Sequence, residues 1–320
     1  MAKAHSAPST LLALGGNAIT RPGDKIDLEA QFNQTRVAMD ELAGVLRDGL
    51  IGKLALTHGN GPQIGYVLER SEIAAPRLHR LSVDVCVADT QGGMGYMIQQ
   101  CLANSLRRAG VPRSVASVVT QVRVDPADPA LQNPTKFIGQ FMTEEQARQK
   151  AAESGWRVAP DKGRGWRRVI GSPKPLEIIE IAAIRALHEA GVLVTACGGG
   201  GIPVVRGPQG ELRGIDGVID KDWASARLAL DLGAELFLII TGVDGVFSSF
   251  ATPGQKHYPE ISAAELEKLA DAGEFPAGSM EPKVRAALHY LRHGGREVLI
   301  TECGRMGAAL KGNAGTRVRP

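Results

Sequence analysis

The sequence predicts an α/β fold on a mostly parallel sheet, and three observations carry that expectation. A joint of helical stretch, glycine and apolar β-rich run recurs along the chain. The runs are apolar on both faces, as strands covered by helices above and below must be. One intervening stretch is helical by count: Leu28, Phe32, Thr35, Met39, Leu42 and Leu46 follow at spacings of 4, 3, 4, 3 and 4, a single stripe on a helix. Helices alternating with doubly buried strands give an α/β architecture.

Taken in order, Thr10–Leu14 is the first apolar strand and runs into Gly15-Gly16-Asn17. After the striped helix, Gly49 introduces a strand at 53–57, which enters His58-Gly59-Asn60-Gly61-Pro62. Pro62 suits a first helical position, where no N–H is needed. Gly110 introduces strand 114–120, and Gly191 introduces strand 192–197, which ends in Gly198-Gly199-Gly200-Gly201. Gly233 precedes Leu236–Thr241, and Gly295 precedes 297–301. In each joint the glycine is expected to supply the left-handed residue that ends a helix. Residues 121–175 break the rhythm. Rich in Pro, Gly and charge, with Asp125-Pro126, Asp128-Pro129, Asn133-Pro134 and Ser172-Pro173-Lys174-Pro175, they read as an inserted subdomain or a long functional loop.

Composition narrows the functional classes. The 320 residues are 43% hydrophobic and 22% charged, an ordinary water-soluble balance with ample material for a core. Lys+Arg 37 against Asp+Glu 34 leaves a net charge of +3, too small for a general polyanion binder. With aromatics at 4%, a nucleic-acid stacking platform is not expected either. No apolar run is long enough to span a membrane, and residues 1–10 lack the apolar core of a secretory signal. Cys86, Cys101, Cys197 and Cys303 lie far apart without CxxC spacing and read as free thiols of a reducing cytoplasm.

The chemistry is expected where strands run into glycine. Three such loops, at 15–17, 59–61 and 198–201, stand at carboxyl ends of parallel strands, where ligands of open α/β sheets bind. There the backbone can approach a ligand closely and the next helix turns its N–H groups on an anion. No GxxxxGK[ST] occurs, 59–65 is one residue too long for GxGxxG, and the HRD and DFG signatures are missing. Lys136 in Asn-Pro-Thr-Lys, Lys221 and Asp222 in Ile-Asp-Lys-Asp, and Lys283 in Gly-Ser-Met-Glu-Pro-Lys all follow turns shaped by Pro or Gly. Any one of these lysines alone would pass for solvated surface. Together they suit phosphoryl transfer, in which cations neutralise the oxygens of the moving group and a carboxylate orients them. His289 and His293 have metal-ligand spacing but lack the glutamate of HExxH, so a solvated helix face is the better reading. Arg157, Lys162, Arg164, Arg167 and Arg168, interleaved with Trp156 and Trp166, read as a lid over an anionic small molecule rather than an RNA patch. Cys197 reads as a buried strand thiol.

In this order along residues 11–301, the segments resemble the carbamate kinase branch of the amino-acid kinase family. Ala13-Leu14-Gly15-Gly16-Asn17-Ala18, His58-Gly59-Asn60-Gly61-Pro62-Gln63, Thr90-Gln91-Gly92 and the run 124–128 carry the first part of the likeness. Asn133-Pro134-Thr135-Lys136, Gly163-Arg164-Gly165-Trp166-Arg167, Ser172-Pro173-Lys174-Pro175 and 197–203 follow. Val218-Ile219-Asp220-Lys221-Asp222, the run 241–246 and Pro276-Ala277-Gly278-Ser279-Met280 complete it. The resemblance implies a three-layer α/β/α sandwich with two lobes. Residues 1–194 would carry the phosphoryl acceptor, with 121–175 as a protruding subdomain or lid, and 195–320 would bind the nucleotide.

It further implies a cytoplasmic homodimer of arginine metabolism that uses Mg2+ with ATP or ADP. The reaction would be ATP + carbamate ⇌ ADP + carbamoyl phosphate, run mainly towards ATP. Lys136 and Lys283 would stabilise the transferring phosphoryl, Asp222 would orient both, and Lys221 would contact nucleotide. Gly15, Gly16, Asn17, Asn60, Gly61, Gly199 and Gly200 would hold carbamate or its phosphate. Thr241, Val243, Val246, Phe247, Ala277, Gly278 and Met280 would line the nucleotide site, with Mg2+ held mainly by the phosphates. Phe137, Gln140, Gly171, Asp89 and Glu281 depart from the family pattern, most of them in the lid, and Glu281 falls beside Lys283. Two other functions stay open on sequence: a kinase of this fold acting on another small carboxylate, and a catalytically silent metabolite-binding regulator. The joint presence of Lys136, Asp222 and Lys283 argues against the silent one.

Overall fold

Eight strands build the central sheet of the computed structural model, which describes residues 7–16, 19, 27–161, 163–276 and 278–320. Their order is Glu260–Ser262, Thr316–Arg319, Glu297–Glu302, Leu236–Thr241, Thr10–Leu14, Leu54–His58, Leu193–Thr195 and Val115–Ser117. All neighbours run parallel except Glu297–Glu302 beside Thr316–Arg319. The expected mostly parallel sheet is present. Thr10–Leu14 lies at its centre, with Leu12 beside Leu56 on one side and Leu238 on the other.

Side chains of that strand alternate between two cores. Leu11 and Ala13 enter the one that includes Leu228 and Leu288, from helices Lys221–Leu232 and Met280–Arg292. Leu12 and Leu14 enter the other, with Met39 and Ile98 from helices Leu28–Arg47 and Val83–Ala109. That alternation makes the three layers, and each fully buried leucine contributes about 2 kcal/mol.

The joints hold with small shifts. Gly110 (φ 70°) and Gly233 (φ 61°) cap Val83–Ala109 and Lys221–Leu232 in the left-handed conformation. The last joint differs: Gly294 takes the positive φ, 101°, while Gly295 is required because the Tyr290 ring lies where a side chain would stand. The strand expected at 114–120 is shorter than expected, and another strand opens the stretch expected as an insertion. Val115–Ser117 stays in the central sheet, and Gln121–Arg123 joins a four-stranded sheet in the order Leu212–Gly214, Ile202–Arg206, Gln121–Arg123, Glu177–Ile178. Val122 and Val124 are buried in the body core, so the inserted segment begins inside the body. The part that protrudes carries strands Lys136–Met142, Trp166–Ile170 and Val158–Pro160 and helix Glu144–Ser154. Its base is packed: Ile138 and Ile170 form a small core with Ile64 and Leu68 of helix Gln63–Ala74. Among the described residues no helix is long and apolar enough to cross a membrane.

Candidate active site

Strands Thr10–Leu14, Leu54–His58 and Leu193–Thr195 deliver their following loops to one end of the sheet, around a cleft of about 760 Å³. Gly16, Asn60, Gly61 and Gly199 line it. Asn60 Nδ2 donates to the Gly199 carbonyl at 3.0 Å and ties two loops together. Gly199 (φ 68°) and Gly200 (φ 99°) hold left-handed conformations, and a Cβ on either would collide, with the Asn60 carboxamide and the Ile219 carbonyl respectively. Gly200 thus packs behind the cleft instead of lining it, and Gly15 is likewise pressed against the Ile240 carbonyl. Asn17 lies outside the described residues.

Helix Lys221–Leu232 begins at the cleft. Asp220 is its N-cap, with Oδ1 accepting from the Asp222 N–H at 2.9 Å. Asp220 Oδ2 faces Lys136 Nζ at 3.3 Å. Asp222 is 2% exposed and holds two ammoniums, Lys283 at 3.2 Å and Lys221 at 3.5 Å. Lys221 also donates to the Leu14 carbonyl at 2.8 Å. Burial holds the Lys221 pKa below its ordinary value; the Asp222 carboxylate offsets part of that drop and the Lys283 ammonium adds to it. For Asp220, burial favours the neutral acid, but the neighbouring Lys136 overrides it and leaves the carboxyl below its ordinary range.

The expected role of Asp222 changes accordingly. It pairs with Lys283 and Lys221, whereas Lys136 pairs with Asp220, a residue that sequence reasoning quoted without giving it a task. Its signal was present: an aspartate just before a helix whose first turn carries Lys221 and Asp222. Lys221 lines the main cleft, against Gly59. Glu281, suspected of acting on Lys283, lies 3.8 Å from Arg285.

A second, mainly apolar pocket of about 290 Å³ adjoins the first. Thr241, Val243, Phe247 and Met280, four of the residues that the resemblance assigns to a nucleotide site, line it, together with Phe250 and Phe275, which sequence reasoning did not single out. Val246 is instead in the core, its N–H donating to Thr316 Oγ1 at 2.7 Å. Gly278 lines the main cleft, and Ala277 lies outside the described residues. Ser279 and Lys283 line both pockets, so Lys283 stands at the junction.

Other expectations sort as follows. His293 is exposed, as a solvated helix face requires, whereas His289 is half-buried, its ring tilted against Trp223 at 5.1 Å and against His293 at 4.1 Å. Burial, first, and His293 beside it push its pKa down to about 4. Arg164 and Arg167 share Asp161, Arg168 pairs with Asp216 and Arg157 donates to the Gln132 carbonyl, so two carboxylates offset part of the charge of the basic run; Lys162 lies outside the described residues. Cys197 is buried at the strand end with φ 49°, and burial raises its thiol pKa. Among the described residues no three His, Cys, Asp or Glu side chains gather as a metal site.

A sequence profile of the amino acid kinase family matches residues 9–302. The carbamate kinase of Pyrococcus horikoshii is 41% identical over 97% of this chain and 98% of its own. The carbamate kinase-like protein YahI of Escherichia coli is 42% identical over 96% and 98%. The structure of Giardia lamblia carbamate kinase bound to AMP-PNP superposes with a TM-score of 0.91 at 38% identity, covering 98% of this chain and 99% of that one. Likeness at this level along the full length of both chains leaves one conclusion: the chain belongs to the amino acid kinase family.

Proposed function

We propose that this protein is a carbamate kinase, catalysing ATP + carbamate ⇌ ADP + carbamoyl phosphate. The observation that carries the reading is the placing of Lys283. Its ammonium, paired with buried Asp222, stands where the lysine-lined cleft meets an apolar pocket, a position that suits a cation acting between an acceptor and a nucleotide. In the forward direction a carbamate oxygen attacks the γ-phosphorus, the bond from phosphorus to the β–γ bridging oxygen breaks, and ADP leaves with its electron pair. Carbamate is already an anion, so no general base is required. Lys136, Lys221 and Lys283 act on the charge of the phosphoryl oxygens, which is where such a reaction gains most. Magnesium enters as part of the nucleotide substrate, since Asp220 and Asp222, the carboxylates of the cleft, are engaged by lysines.

The test is ATP formation from MgADP and carbamoyl phosphate by the pure folded protein, with acetyl phosphate alongside. The acetyl phosphate arm matters because a carbamate kinase and a carbamate kinase-like protein match this chain equally well. Turnover no faster than spontaneous breakdown of carbamoyl phosphate would remove the proposal.

The acceptor lobe is read as residues 1–194 and the nucleotide lobe as 195–320, meeting in the sheet between Thr10–Leu14 and Leu236–Thr241. A homodimer is part of the proposal. Its support is the edge strand Val115–Ser117, with Val119 at 55% and Tyr96 at 59% exposure as apolar surface nearby. Sedimentation at micromolar concentration checks it. Cytoplasmic residence is supported by the free thiols of Cys86, Cys101, Cys197 and Cys303.

A further inference from the structure

We propose that Phe137 and Phe141 form an apolar plate that stops water from competing with the acceptor for the phosphoryl group, and that Asp161 is the positioning residue that keeps this plate rigid. The inference rests on the reading of the cleft as a phosphoryl-transfer site. It does not depend on which acceptor is used.

The cleft creates the problem that the plate addresses. A space of about 760 Å³ has room for roughly two dozen water molecules. Water can attack as the acceptor does: its oxygen bonds to the γ-phosphorus, the bond to the bridging oxygen breaks, ADP leaves with the electron pair, and a proton passes to solvent. The products are ADP and inorganic phosphate. Lysines that neutralise the moving phosphoryl serve either nucleophile, so they cannot by themselves choose the acceptor over water. The choice must come from what shares the site with the phosphoryl group, and an aromatic face offers water no hydrogen bond.

Phe137 directly follows Lys136 on strand Lys136–Met142, and both phenylalanines line the cleft that holds Lys221, Asp222 and Lys283. Phe141 is 47% exposed, so the core does not account for it. Two guanidiniums nonetheless stand beside the rings. The Arg167 guanidinium lies 5.8 Å from the Phe137 centroid and 5.0 Å from that of Phe141, and Arg164 covers Phe141 at 5.1 Å. Both guanidiniums are in turn held by one carboxylate. Arg164 donates to the two oxygens of Asp161 at 3.0 and 3.1 Å, and Arg167 donates to Asp161 at 3.2 Å and to the Gly139 carbonyl at 3.1 Å. Asp161 is 4% exposed, a buried post from which the stack of guanidiniums and rings is set.

The test measures phosphate release from MgATP without any acceptor, and in parallel ATP formation from MgADP and carbamoyl phosphate. The proteins are the wild type, Phe137→Ala, Phe137→Leu, Phe141→Ala and Asp161→Asn, each with its melting temperature. Phosphate release is expected to rise on the order of tenfold relative to ATP formation in both alanine variants and in Asp161→Asn. Phe137→Leu, which restores apolar bulk, releases less than Phe137→Ala. Phe141→Ala removes an exposed ring and folds, so it reads the effect even where Asp161→Asn loses stability. Unchanged phosphate release in both alanine variants, melting as the wild type does, would overturn the proposal. So would a raised KM for carbamoyl phosphate with unchanged hydrolysis, which would make the rings a wall of the acceptor site. If the wild type makes no ATP from carbamoyl phosphate, the acceptor assignment fails, while phosphate release from MgATP still tests the plate.

Discussion

Lys136 and Lys283 are held by different carboxylates, so their variants separate the roles. Losing a preorganised donor to the moving phosphoryl costs about 3 kcal/mol of barrier, on the order of a hundredfold in kcat, and Lys136→Ala and Lys283→Ala are each expected to show it. Near-normal rates in both would refute the mechanism even with the fold intact. Asp222→Asn is expected to lose both rate and stability, because it leaves the Lys221 and Lys283 ammoniums without their buried counter-charge. Breaking such a pair from one side costs about 3 kcal/mol of folding free energy, visible as a lower denaturant midpoint. Asp220→Asn should behave differently. Asparagine caps a helix as well as aspartate does, so the melting temperature holds. The charge facing Lys136 at 3.3 Å is gone, so kcat falls about tenfold as that lysine loses its aim.

The segment proposed as a lid is packed into a larger element than its sequence suggested. Ile138 and Ile170 are packed against Ile64 and Leu68, and Lys150 reaches Glu72 at 2.7 Å, so the protruding sheet rides on helix Gln63–Ala74. Gly65 faces the Gly139 backbone across the seam, where an added Cβ would meet Cα at 3.4 Å, an ordinary contact. Gly65→Ala is therefore expected to fold and turn over normally. Binding of MgADP with carbamoyl phosphate should slow hydrogen exchange in both 63–74 and 136–170. Slowing of 136–170 alone would show that the lid moves free of the helix. The strands and helices of the body were legible because periodicity and glycine joints are local signals, and Lys136, Asp222 and Lys283 were legible from their turns. The partnering was not. Asp161 precedes Arg164 and Arg167 by three and six residues, yet its service to rings at 137 and 141 appears only when two antiparallel strands pair. Phe250 and Phe275 likewise share a pocket only through the fold.

At the scale of the whole molecule, buried histidines tie the fold to pH. His58 ends the strand Leu54–His58 directly before the Gly59–Asn60 loop, is 1% exposed, and has Nδ1 2.9 Å from the Gly59 carbonyl. Burial is the main cause that holds its pKa down, at about 4, against an ordinary 6.5. Burial lowers His188 as well, and His289 falls to about 4. In the unfolded chain each of these imidazoles takes up a proton near 6.5, whereas the fold refuses it. The unfolded state therefore binds more protons between 6.5 and about 4, and stability must fall as pH falls through that window. For fully buried His58 the difference amounts to about 3 kcal/mol. The carboxylates act lower on the scale. Burial raises Asp161 and Asp220, but the hydrogen bonds of Arg164 and Arg167 to the one and the charge of Lys136 beside the other carry both below 3.8. Their stabilisation is complete above that ordinary value and is lost only as pH falls through the lowered ones. Denaturant midpoints at pH 7, 6, 5 and 4.5 separate the two groups. The midpoint is expected to drop steadily from pH 6.5 to 4.5, before those aspartates titrate. A midpoint that stays level down to pH 5 would mean that His58 takes its proton inside the fold, and that the strand end carrying the Asn60 loop is open to water.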